Sequence, residues 1–149
     1  MTPVAPGARV RASIVTGATL AAREALVAAA LCAGERTAAI LEGLPHGNTA
    51  LFPSAMLNVH RVAPACLCCT GNLILRVTLN RILRVRPDRL FIGVANLDHL
   101  DQLRSWLQQP PYDQLLELTQ TFSRLENGLV SPTFRSMKVE SLIERRSLA

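Results

Sequence analysis

Three thiols crowd into four positions of the segment "PACLCCTGN" (64–72): Cys66, Cys68 and Cys69. Two of them are two residues apart and the third is adjacent, so one bend can turn three sulfurs toward a single ion at Zn–S distances of about 2.3 Å. Three thiolates suit Zn²⁺ or Cu(I), the soft-ligand choices. A tetrahedral site needs a fourth ligand, and water, His60, His46, Glu42 and Cys32 are the candidates. His60 is the foremost of these, since it lies six residues upstream near the end of an expected strand. The neighbouring Arg61 would lower thiol pKa values. Adjacent cysteines such as Cys68 and Cys69 make a strained disulfide. Two other readings stay open: small buried apolar side chains under the next helix, and redox chemistry.

A second constellation lies at "IVTGATLAAREALVAAAL" (14–31). A phosphate-binding loop reads Gly-x-x-x-x-Gly-Lys-Ser/Thr between a buried strand and a helix. Gly17 matches the first glycine, with Ala22 at the second glycine, Arg23 at the lysine and Glu24 at the hydroxyl residue. Each change works against phosphate. Ala22 adds a Cβ where the backbone must approach closely, and the planar fork of Arg23 does not replace a compact ammonium. Glu24 puts an anion where a magnesium-ligating hydroxyl belongs.

The order of this loop, the Cys-x-Cys-Cys motif at Cys66, Cys68 and Cys69 and then "RPDRLFIGVANLDHL" (86–100) resembles the CobW-like GTPases of the P-loop superfamily. The resemblance covers about residues 10–110, and the cysteine motif is its most specific part. It implies a P-loop NTPase-like fold, here truncated, and a zinc site at the three cysteines of the kind found in metallochaperones. It also exposes departures. Gly93 stands where the family has an acidic residue after its strand, and Asn96 where a turn glycine belongs. Glu42 is the remnant of a Glu-Asn-Glu-like segment, and no Asn-Lys-x-Asp motif exists for reading guanine. The resemblance thus implies a zinc-binding protein that does not hydrolyse nucleotide, with GTP and magnesium not expected. It would act as a metal-handling accessory to a metalloprotein client, or as the partner of an intact paralogue. One alternative is a weak GTPase using Gly17, Arg23 and Glu24 unconventionally. Another is a structural protein that dimerises without ligand.

The elements that would position these residues alternate. Strands are expected at 10–16, 36–42 and 88–95 from apolar runs, and at 56–63 from alternation. Helices are expected over about 19–34, closed by Gly34, over 72–86, broken by Pro87, and over 97–108, ending before Pro110 and Pro111. Alternation of this kind predicts a three-layer α/β domain, a mainly parallel sheet flanked by helices. Residues 111–149 are ambiguous. Leu115, Leu118, Phe122 and Leu125 have helical spacing, while Leu116, Leu118, Gln120 and Phe122 alternate as in a strand; helix is the expectation there. The end, "SMKVESLIERRSLA" (136–149), reads as a short helix or a frayed tail.

The 149 residues predict one domain, 1–149, long enough to bury roughly 70 % of its unfolded surface. The net charge is +5, and fifteen of the sixteen basic residues are arginine. Arg76, Arg81, Arg84, Arg86 and Arg89 cluster without an aromatic platform between them, which predicts a solvated helix face rather than a nucleic-acid surface. No apolar run reaches the ~18 residues of a membrane span, and the first residues lack the apolar core of a secretory signal. The cytoplasm is the expected compartment, where thiols stay reduced. His99, between Asp98 and Asp101, reads as an exposed residue at a helix start. Trp106 should pack its helix on the sheet, and no serine forms a nucleophile constellation with a histidine.

Overall fold

The computed structural model describes residues 7–44, 47, 49–63, 73–98, 100–124 and 130–133. Cys66, Cys68, Cys69, His46, His99 and the segment 136–149 lie outside the described residues. The elements run β1 (Val10–Thr16), α1 (Leu20–Ala30), β2 (Thr37–Glu42), β3 (Leu57–Val62), α2 (Leu73–Val85), β4 (Arg89–Val94), α3 (Leu100–Leu107), α4 (Tyr112–Leu115), β5 (Leu116–Leu118), β6 (Thr121–Arg124) and β7 (Val130–Thr133).

Among the described residues seven strands form one sheet in the order β3-β2-β4-β1-β6-β7, with β5 also on β1. Only the β6–β7 pairing is antiparallel. Central strands of such a sheet are buried on both faces, which is why "TAAILE" of β2 has all six residues buried. Alternate side chains serve different layers. Ala12, Ile14, Ile40, Leu90 and Ile92 pack with Leu75, Leu79 and Ile82 of α2 and Leu103 and Leu107 of α3. Val15, Ala39, Leu41 and Phe91 pack on the other face with Leu26 and Val27 of α1. The result is the expected three-layer α/β architecture, compatible with a P-loop NTPase-like fold.

Two local expectations are corrected. The first helix ends at Ala30, where the extended Leu31 caps it, and Gly34 instead takes φ +84° in the turn leading to β2. Leu116–Leu118 and Thr121–Arg124 are strands, not helix. The far edge of β1 decides this, because its backbone groups need partners: Thr119 donates its N–H to the Ala12 carbonyl at 2.7 Å. From Ala12 to Val15 β1 advances three residues while its partner advances four, from Leu118 to Phe122. This extra residue behaves as a bulge and switches faces, so Leu116 packs beneath α3 while Phe122 packs on the α1 side. Trp106 packs against the α2–α3 layer, its ring 4.8 Å from that of Tyr112.

Candidate functional site at the carboxyl ends of the strands

The turn from β1 to α1 is short. Thr19 is the N-cap, its Oγ1 accepting from the Ala22 N–H at 3.1 Å, and the helix begins at Leu20. Ala22, Arg23 and Glu24 therefore lie within the helix. A phosphate cradle needs consecutive backbone N–H groups aimed outward at an anion. Here the Ala22 N–H is held by Thr19 Oγ1, and the Arg23 N–H donates to the Thr19 carbonyl at 3.1 Å.

Arg23 is 4 % exposed and turns inward. Its Nη1 donates to the Gly17 carbonyl at 2.8 Å and its Nη2 to the Glu42 carbonyl at 2.9 Å. The guanidinium thus ties the end of β1 to the end of β2, although β4 lies between them. Gly93 of β4 opens the lane. A Cβ on Gly93 would come within 2.7 Å of Leu41 Cδ2 and 3.8 Å of Arg23 Cδ. Burial pushes the Arg23 pKa down from its ordinary value, opposed by the charges of Glu42 and Glu24.

Glu24 is 2 % exposed and also has internal partners. Its Oε1 is ion-paired with Arg61 Nη1 at 2.5 Å. Its Oε2 accepts from Thr49 Oγ1 at 2.8 Å and from the Ala50 N–H at 3.1 Å. Arg61 Nη2 donates to the same Thr49 oxygen at 2.9 Å. Burial alone would raise the carboxyl pKa; the bonds from Thr49, Arg61 and Ala50 and the Arg61 charge outweigh it and hold Glu24 below its ordinary value. Arg61 faces α1, and its relation to the thiols lies outside the described residues. Glu42 Oε2 accepts from the Ala95 N–H at 2.9 Å, and Asn96 Oδ1 accepts from the Asp98 N–H at 2.8 Å, closing an Asx turn after β4.

The cysteine segment follows Ala63, just past the carboxyl end of β3, the side on which open α/β sheets bind ligands. Glu42 is level with Val62 at that end. Cys32 is exposed and follows the last turn of α1, at the amino ends of the strands. His60 is in the body of β3, on the α2 face, near Arg81, Ile82 and Val85. Among the described residues no group of three or more His, Cys, Asp or Glu is placed to hold a metal ion. The Glu24–Arg61–Thr49 cluster and the Arg23 clamp escaped sequence reasoning. A visible signal was Thr19, a good N-cap that starts the helix before position 22.

Comparison with known proteins gives a distant likeness. Over 82 residues, 54 % of its length, the chain is 32 % identical to the zinc chaperone YeiR of Escherichia coli (strain K12). The matched region spans 25 % of that relative. No protein-family model matches the chain, and no solved structure matches it. No helix among the described residues is long and apolar enough to cross a membrane.

Proposed function

We propose that this chain is a CobW-like metal-handling protein that binds zinc as cargo through Cys66, Cys68 and Cys69 and does not hydrolyse nucleotide. The observation that carries the second half is the commitment of Arg23 and Glu24 to partners within the chain. A nucleotide would have to break both carbonyl bonds of Arg23 and displace Arg61 from Glu24. Support for zinc comes from the Cys-x-Cys-Cys spacing and from the likeness to a zinc chaperone. The client is a metalloprotein, or an intact paralogue that supplies the nucleotide chemistry.

Melting temperature tests the reading, because a ligand that binds only the folded chain raises it. Reduced protein is titrated with Zn²⁺ and separately with GTP–Mg²⁺, and its metal content is measured after purification under reducing conditions. Zinc should raise the melting temperature in the native chain and not in Cys68→Ser, and GTP–Mg²⁺ should leave both unchanged. A nucleotide shift lost in Arg23→Ala would establish the weak GTPase instead. No zinc shift would overturn the metal site.

A further inference from the structure

A pocket of about 370 Å³ opens between β3, the start of β2 and the C-terminal half of α2. That volume is of the size that takes small organic ligands. The pocket lies toward the amino ends of the strands, whereas the Arg23 clamp joins their carboxyl ends. Among the described residues its lining includes two arginines, Arg36 and Arg81, and no aspartate or glutamate. Arg36 spends one Nη2 hydrogen on the Arg86 carbonyl at 3.1 Å, which leaves most of its fork uncommitted by that bond. Arg81 is solvent-exposed.

His60 lines the same pocket, and its Nε2 is buried without a hydrogen-bond partner among the described residues. A buried polar atom left this way is costly and asks for an explanation. Burial and the nearby charge of Arg81 lower the His60 pKa from its ordinary value. The remaining wall mixes the polar Thr37, Ser54 and Asn58 with the apolar Ala38, Met56, Ile82 and Val85. Ile82 is buried, while Val85, at 65 % exposure, leaves its side chain open to solvent.

We propose that this pocket binds a small organic anion, with its carboxylate or phosphate between Arg36 and Arg81, a hydrogen bond to His60 Nε2 and its apolar body against Ile82 and Val85. Two arginine cations argue against a metal ion, and a lining without an aromatic side chain argues against a nucleic-acid strand. A planar guanidinium fork matches both carboxylate and phosphate, so the probes must separate them. The proposal does not depend on the zinc reading.

The test uses the full chain with phenyl phosphate, hexanoate and inorganic phosphate, followed by calorimetry and by the ¹⁵N resonance of His60 Nε2. Phenyl phosphate or hexanoate should bind and move that resonance, whichever is tighter naming the acid group. Inorganic phosphate should bind roughly tenfold more weakly for want of apolar contact. Arg81→Gln should weaken the organic anion roughly tenfold, the scale of a lost charge-assisted hydrogen bond, with the unliganded melting temperature unchanged. Val85→Asp, also an exposed position, should weaken it by repulsion, and Cys68→Ser should have no effect. Silence of His60 toward both organic probes overturns the proposal. So does equal affinity for inorganic phosphate, or binding at native strength in both Arg81→Gln and Val85→Asp.

Discussion

Arg23 is a buried cation whose bonds run to carbonyl oxygens, and its removal strands both acceptors. Each bond to a charged group is worth about 1.5–3 kcal/mol, so Arg23→Met should lower the free energy of unfolding in urea by about 3 kcal/mol or more. Arg23→Lys should recover only part of it, since a single ammonium does not span both acceptors as the fork does. Glu24 gives a pH-dependent counterpart. Its folded pKa lies below the ordinary 4.5, so between the two values the unfolded chain binds more protons and stability rises with pH. The contribution is complete above about pH 4.5 and is lost as pH falls through the depressed folded value. Glu24→Gln should therefore destabilise the protein at neutral pH and flatten the acid limb of its stability curve, as followed by circular dichroism. Spacing alone singled out Gly17, Ala22, Arg23 and Glu24, as a degenerate phosphate loop. Their partners were not, because Glu42, Thr49 and Arg61 are remote in sequence and meet only across the sheet.

At the scale of elements, β1, β2 and β4 were legible within a residue or two because both-face burial writes continuous apolar runs, and β3, at the sheet edge, was legible from its alternation. The error at 116–124 has a different origin. Leucines there satisfy both periods, and the choice between them rests with an unpaired edge of β1 that no local window contains. The bulge after Leu118 further blurs the alternation by moving Phe122 to the other face. Packing between β2 and β4 gives a test. A Cβ at Gly93 would stand 2.7 Å from Leu41 Cδ2, and Leu41 is fully buried. Gly93→Ala should cost about 1–3 kcal/mol in urea unfolding, the usual range for overpacking. A neutral outcome would mean that Leu41 has room to turn away.

Across the whole molecule, one set of strands supplies both apolar layers, so the layers should be lost together. Phe91 is fully buried on the α1 side, edge-on to Phe122 with ring centroids 6.1 Å apart, and Arg89 stacks over its ring at 4.6 Å. Phe91→Ala should cost about 3–5 kcal/mol. The single tryptophan, Trp106, reports from the opposite layer. Its fluorescence and the far-ultraviolet circular dichroism should shift to the same lower urea midpoint, and separate midpoints would show that the layers unfold independently. The three-layer class followed from the alternation of strand and helix, whereas the pocket beside β3 had no sequence signature, since Arg81 read as part of an ordinary solvated face and Arg36 lies remote from it in sequence. The tight spot beside β4 carries an evolutionary corollary. Because a Cβ at position 93 would stand 2.7 Å from Leu41 Cδ2, the two sites cannot drift independently. Sequences descended from a shared ancestor should keep leucine at 41 only where glycine persists at 93, and a branch that acquires bulk at 93 should already have shortened 41.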